Sequence, residues 1–351
     1  MQYIMVIFGG CSTEHSVSLE SASSVIDGMD KSRFTPVTVG ITKDGPWYHY
    51  SGETFRITNG TWCESGSCRP AALSVNRGER CLRVFGENGE EKITIDAVFP
   101  VLHGRNGEDG TVQGLCALAG IPLVGCGVLS SALCMDKDRA HRLARDAGVK
   151  VPRSVVISRG FDSSEVSETA NDIGYPLFVK PVNSGSSYGV SKVNEPAGLL
   201  PAIQDAFQHD RRVIIEQAIP GFEAGCAVMG NDEPVTGEVD EIELAGGFFN
   251  FTEKYNLITS KIHVPARVSP EKAAELKETA KTIYRALDCR GFARVDMFLT
   301  SEGEIFFNEV NTIPGFTSHS RFPSMMKAAG VSFTEVITRA IELAEEDHAF
   351  S

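Results

Sequence analysis

The sequence predicts an α/β protein built in three blocks, and three observations carry that prediction. Strand-like and helix-like segments alternate along nearly the whole chain. The 42% hydrophobic and 23% charged content is that of an ordinary folded protein. The length, 351 residues, exceeds what one core usually holds.

The elements follow in order. Tyr3 to Phe8 is an unbroken apolar run, read as a first strand and not as a signal peptide because it lacks a basic lead and ends in Gly9-Gly10. Glu14 to Met29 has helical periodicity, and Phe34 to Ile41 is the next strand. The stretch Thr42 to Lys92, rich in Gly and Ser, is expected to form small hairpins. Ile95 to Leu102 is a buried strand leading into the polar, glycine-rich loop His103-Gly104-Arg105-Asn106-Gly107-Glu108-Asp109-Gly110. A helix over Val112 to Ala119, a short strand over Pro122 to Gly125 and a helix over Ser130 to Ala147 complete the first part.

Val151-Pro152 reads as a hinge, followed by strands Ser154 to Ile157, Leu177 to Pro181 and Val213 to Glu216, with a helix over Gly198 to His209. The last block has strands near Cys226 to Met229, Val235 to Glu241, Ala293 to Leu299 and Ile305 to Glu309. Its helices are expected near Pro270 to Leu287 and Thr334 to Glu346. The expected division is 1–125, 126–215 and 216–351.

The formal net charge of −13 disfavours nonspecific nucleic-acid binding, which needs a basic face. No apolar run reaches the roughly 18 residues of a membrane span. Nine cysteines without a C-x-x-C pair read as reduced thiols of a cytoplasmic protein, and Cys63 and Cys68 lack the partners of a zinc site. The Asn59 and Asn250 sequons carry no meaning in that compartment.

Chemistry concentrates late in the chain. Arg294 and Asp296 are two apart on one expected strand, and Glu309 and Asn311 are two apart on another, so each pair points to one sheet face. If the strands are neighbours, Asp296, Glu309 and Asn311 form an all-oxygen cluster suited to a hard cation such as magnesium. Arg294 would face the same space and pair with a transferring phosphoryl group. The alternative is a solvated face with routine ion pairs.

Lys180-Pro181 precedes Ser184-Gly185-Ser186-Ser187-Tyr188-Gly189, a flexible loop able to cover phosphates with backbone N–H groups or simply to turn the chain. Neither a Walker-type loop nor a Gly-x-Gly-x-x-Gly fingerprint is present. Glu216 and Glu223 flank a turn, where they either meet a nucleoside or merely end a strand.

Taken in chain order, these motifs resemble the ATP-grasp superfamily, and within it the D-alanine–D-alanine ligases. The matches are Phe8-Gly9-Gly10-Cys11-Ser12-Thr13-Glu14-His15, Leu102-His103-Gly104 with Glu108-Asp109-Gly110-Thr111, and Met135-Asp136-Lys137. Lys180-Pro181, Gly185-Ser186-Ser187, Glu253-Lys254-Tyr255, Arg294-Val295-Asp296 and Asn308-Glu309-Val310-Asn311-Thr312 continue the series.

The resemblance implies a three-domain ATP-grasp fold and a ligase that activates D-alanine as an acyl phosphate. ATP is its co-substrate, with two magnesium ions that manganese replaces in related enzymes. It implies phosphate lysines at Lys137 and Lys180, further nucleotide contacts at Ser187, Lys254 and Asn308, and adenosine carboxylates at Glu216 and Glu223. Asp296, Glu309 and Asn311 look like the metal ligands. Glu14 resembles the acid that holds the first substrate's ammonium, with Ser186 and Tyr255 as its partners and Val17 and His103 nearby. Arg294 and Gly315 would stabilise the oxyanion, and Ser320 would hold the second substrate's carboxylate. Residues 241–263 suit a lid that excludes water from the acyl phosphate. A homodimer assembled through the N-terminal domain is also implied.

Three acceptors compete. Tyr255 stands where the D-lactate-using ligases carry histidine, which disfavours a hydroxy acid. Arg321 stands where D-alanine-using ligases carry an apolar residue. Gly246-Gly247-Phe248-Phe249 and Gly315-Phe316-Thr317-Ser318-His319-Ser320-Arg321 resemble the G-type vancomycin-resistance D-alanine–D-serine ligases. Arg321, oriented by Asp240 and walled by Phe249, is the expected reader of a D-serine hydroxyl, unless it is a surface arginine at a helix start. A nucleotide-binding protein without turnover is the alternative from another class.

Overall fold

The computed structural model describes residues 1–64, 66–87, 89–185, 188–244 and 260–349, apart from the side chains of Leu244 and Ser260. Its strands make three sheets. The first holds β1 (Gln2–Gly9), β2 (Phe34–Ile41), β3 (Trp47–Tyr50), β4 (Cys68–Leu73), β5 (Cys81–Gly86), β6 (Gly89–Thr94) and β7 (Ala97–Val101), in the order β6-β5-β4-β3-β2-β1-β7. Parallel pairing is confined to β2-β1-β7, and the glycine-rich stretch supplies the antiparallel extension. The apolar run that made β1 legible is explained by its central place: Ile4 to Phe8 are all fully buried.

The second sheet is antiparallel, from β8 (Ser154–Ser158), β9 (Leu177–Pro181), β10 (Ser191–Val193) and β11 (Arg212–Gln217), in the order β10-β9-β11-β8. The third is β14-β13-β12-β15-β16, formed by β12 (Phe222–Met229), β13 (Val235–Leu244), β14 (Ser260–His263), β15 (Phe292–Leu299) and β16 (Ile305–Asn311). The ends of segment 241–263 are therefore paired strands, and its residues 245–259 lie outside the described part.

The helices are α1 (His15–Gly28), α2 (Thr54–Thr58), α3 (Thr111–Ala119), α4 (Val128–Met135), α5 (Lys137–Asp146), α6 (Ser163–Ile173), α7 (Leu199–Ala206), α8 (Pro270–Ala286), α9 (Arg321–Ala328) and α10 (Phe333–His348). The last helix opens with a capping box between Ser332 and Glu335. It then lays Val336, Ile337, Ala340, Ile341 and Ala344 into the core beneath β1 and α1. Helix α10 thus shares the core of the first sheet although β7 ends at Val101 and α10 begins only at Phe333. No described helix is long and apolar enough to cross a membrane.

Four differences from the sequence reading stand out. The single helix expected over Ser130 to Ala147 is two helices, broken at Asp136 in an extended conformation. Asp136 caps α5 by accepting from Arg139 N at 3.1 Å and also binds the Arg212 guanidinium, so tertiary contacts overrule local propensity. Pro122 to Gly125 is no strand, only an isolated bridge of Leu123 to Val98. The expected boundary at 215 cuts β11, whose pairing runs to Gln217. Helix α6 was not foreseen because only Val166 and Ala170 of its polar sequence are buried.

Candidate functional site

A cleft of about 330 Å³ opens where the three sheets meet. The start of α1 contributes Glu14 and Val17, and the loop after β7 contributes His103 and Glu108. Lys137 comes from the α4–α5 break, and Ser184 and Gly185 come from the loop after β9. Strands β15 and β16 add Arg294, Glu309 and Asn311, the turn before α9 adds Gly315 and Ser320, and the first residue of α9 adds Arg321. Ten of the residues singled out from the sequence therefore line one space.

The floor is built by pairing between β15 and β16, which sets Arg294 opposite Asn311 and Asp296 opposite Glu309. The two strands expected to be neighbours are neighbours. Arg294 grips Asp296 through Nε (2.8 Å) and Nη2 (2.7 Å), and Asn311 Nδ2 donates to the same carboxylate at 2.9 Å. Asp296 is fully buried. Burial alone would raise its pKa, but the Arg294 and Arg321 guanidiniums overcome that and hold it below the usual carboxylate range.

Arg321 is not a surface residue. Its side chain is 8% exposed, and it faces carboxylates on three strands. Nε and Nη2 bind Asp240 at 2.7 and 2.8 Å, Nη1 donates to Glu223 at 2.9 Å, and Nη2 lies 3.3 Å from Asp296 Oδ1. Gly225 on β12 leaves room for this crossing: a Cβ there would lie 2.4 Å from Arg321 Nη2 and 2.6 Å from Asp240 Oδ1. The Gly225 N–H donates to Asp240 Oδ1 at 2.8 Å. Sequence reading missed Gly225, although a lone glycine inside a strand signals a close approach.

On the opposite wall, His103 Nδ1 lies 2.9 Å from Ile313 O and Nε2 lies 3.2 Å from Ser21 Oγ. Burial lowers its pKa, which favours the neutral ring. Glu108 was matched in a motif but not singled out. It accepts from Gly104 N and Ile313 N, both at 2.9 Å, and so ties the loop after β7 to the turn before α9. Burial first, then the Glu14 charge, push its pKa up to about 8. Glu14 is buried, with its backbone N–H on Ser12 Oγ. Ser320 Oγ accepts from Thr317 N at 3.1 Å, closing the turn that follows Gly315.

Lys137 reaches Ser184 O at 2.6 Å and Glu309 at 3.9 Å. Lys180 and Glu216 do not line the cleft described above; they pair with each other across β9 and β11. Glu216 keeps Oε2 buried with no hydrogen-bond partner among the described residues. Glu223, Asp240 and Asp296 lie behind the wall as partners of Arg321. The Asn308 carbonyl faces His141 Nε2 at 2.9 Å. Ser186, Ser187, Phe249, Lys254 and Tyr255 fall outside the described residues.

Three sheets around a cleft, with a lysine-bearing central sheet facing a carboxylate-bearing one, define the ATP-grasp class of ligases. Residues 3–126 match the family model of the D-Ala–D-Ala ligase N-terminus, and residues 143–342 match that of its C-terminus. The crystal structure of the VanG D-Ala:D-Ser ligase from Enterococcus faecalis superimposes with a TM-score of 0.91 at 53% identity, covering 98% of this chain and 99% of that one. A putative D-alanine–D-lactate ligase of Streptomyces coelicolor is 46% identical, over 97% of this chain and 96% of its own length. D-alanine–D-alanine ligase A of Escherichia coli is 43% identical over 98% of this chain and 96% of its own length. This chain belongs to the D-alanine–D-alanine ligase family.

Proposed function

We propose that the enzyme joins D-alanine to D-serine with consumption of ATP, through a D-alanyl phosphate. The observation that carries the acceptor choice is the burial of Arg321 beside Ser320 on the cleft wall. Among the described residues, four of its five N–H groups are directed at Asp240, Glu223 and Asp296, which leaves the remaining one, on Nη1, for a substrate hydroxyl. D-alanine would leave that donor without a partner, at a cost of about 1–3 kcal/mol. The 53% identity to a ligase described as D-Ala:D-Ser supports this reading.

The donors suit both nucleotide and metal. Glu216 Oε2, buried and without a partner among the described residues, suits an amine such as that of adenine. Among the described residues no trio of His, Cys, Asp and Glu gathers as a metal cluster. The set proposed for magnesium is instead two carboxylates and an amide oxygen, Asp296, Glu309 and Asn311, which fits a hard cation. When bound, that ion would offset charge on the phosphates.

The chain's own residues divide the remaining work. Glu14 holds the ammonium of D-alanine and leaves its carboxylate to be phosphorylated. Lys137 and Lys180 attract the phosphates, and Lys180 changes partner from Glu216 to do so. Arg294 and the backbone at Gly315 stabilise the oxyanion formed when the second amine attacks. The neutral imidazole of His103 keeps the turn at Ile313 in place. Residues 1–125, 126–217 and 218–351 would carry D-alanine binding, nucleotide binding and acceptor recognition in turn. The product would serve modified peptidoglycan precursors, which is the route to vancomycin resistance. The test is phosphate release with ATP, magnesium and D-alanine, with and without equal D-serine, followed by separation of the dipeptides. Dominant D-alanyl–D-serine is expected; dominant D-alanyl–D-alanine would return the enzyme to ordinary cell-wall synthesis.

A further inference from the structure

The Arg321 guanidinium touches more than an acceptor reader needs. A carboxylate offers about four acceptor directions. On Asp296 three of them are closed by hydrogen bonds, two from Arg294 and one from Asn311 Nδ2. The fourth, on Oδ1, faces Arg321 Nη2 at 3.3 Å, an ion contact without a closed hydrogen bond. Asp240 holds Nε and one N–H of Nη2, and Glu223 holds Nη1, so the guanidinium stays beside Asp296 even when the weak 3.3 Å contact is given up. Gly225 lets the three groups crowd together: a Cβ there would lie 3.1 Å from Asp296 Oδ1 as well as against Arg321 and Asp240.

We propose that Arg321 is a positioning residue for the metal centre as well as a reader of the acceptor. Its Nη2 covers the open side of Asp296 until a divalent cation takes that side, which couples metal binding to acceptor binding. This rests on the reading of Asp296 as a metal ligand and not on which amino acid is the acceptor. The cation and Nη2 cannot both hold the same Oδ1 direction. Metal binding therefore frees a second donor, an Nη2–H, beside the one on Nη1, and a substrate that draws the Nη2–H to itself uncovers Asp296 for the metal. By thermodynamic linkage the two effects are the same factor.

The test is the Mn²⁺ affinity of the intact protein without nucleotide, from the free-ion paramagnetic signal. Arg321→Leu removes the competing cation and is expected to tighten Mn²⁺ binding about tenfold, within the usual range of coupling between sites. Because it also bares Asp240 and Glu223, Arg321→Lys is the second variant: it keeps the charge but lacks the fork that spans three carboxylates, and should tighten binding by a smaller factor. A merely structural role would instead weaken Mn²⁺ binding and lower the melting temperature together. In the unaltered protein, D-serine or D-alanine should raise Mn²⁺ affinity. Unchanged Mn²⁺ affinity in both variants, or no effect of either amino acid on the unaltered protein, overturns the coupling. Tighter Mn²⁺ with unaltered acceptor preference in Arg321→Leu keeps the coupling and removes the D-serine reading. Altered preference with unaltered Mn²⁺ affinity does the reverse.

Discussion

Replacing Gly225 by alanine isolates the arginine–carboxylate crossing without removing any charge. The added methyl would lie 2.4 Å from Arg321 Nη2 and 2.6 Å from Asp240 Oδ1, closer than real Cβ contacts come, so the pair must part or shift. Gly225 has no left-handed φ, so alanine is conformationally acceptable and returns about 0.4–1 kcal/mol through the unfolded chain. Against that stands the disruption of a buried ion pair, about 3–5 kcal/mol if it is lost outright. Partial adjustment leaves a net destabilisation of about 2–4 kcal/mol. The assay is the urea midpoint, used without extrapolation because a chain with three sheets need not unfold in one step, together with the KM for each acceptor. Gly114→Ala in α3 is the matched control: nothing lies within 4 Å of its Cβ position, and alanine there should stabilise by about 0.5–1 kcal/mol. An unchanged midpoint and unchanged acceptor KM in Gly225→Ala would refute the reasoning.

Glu216→Gln should weaken nucleotide binding severalfold by titration calorimetry, since one oxygen loses its charge and Lys180 its partner; unaltered affinity would remove Glu216 from the nucleotide site. Glu108 gives a pH signature. Its pKa is raised in the folded chain, to about 8, so the folded state holds a proton that the unfolded state has lost. Stability is fully retained below the ordinary glutamate pKa near 4.5 and falls as pH rises towards 8. Glu108→Gln should flatten that slope in urea midpoints measured from pH 5 to 8, whatever its effect on the midpoint itself. Asp136→Ala removes a helix cap and the partner of Arg212 and should cost about 2–4 kcal/mol. Asp136→Asn, which keeps the cap, should cost less by the same measurement.

What the sequence revealed depended on how local the cause was. The β15–β16 floor was legible because period two places Arg294 with Asp296 and Glu309 with Asn311, and the antiparallel register aligns those pairs. The break at Asp136 was not, because no glycine or proline marks it. Its causes are Arg212, 76 positions away, and the backbone of Val182, which accepts from Lys137 N. Arg321 could be nominated by its neighbours in sequence, but its burial depends on Asp240 and Glu223, 81 and 98 positions away. Glu108 sat in a recognised motif, yet its work is done on the backbone of Ile313, 205 positions on.

The packing of α10 beneath β1 also sets an order of events on the ribosome. At about 5–20 residues per second, the stretch that separates β1 from α10 takes roughly 16 s to about a minute to synthesise. Strand β1 therefore waits at least that long for the helix that seals its underside. Until then the apolar faces of α1 and β1 are a surface for chaperones to shield, and a nascent chain stalled before residue 333 would be exposed to proteases there.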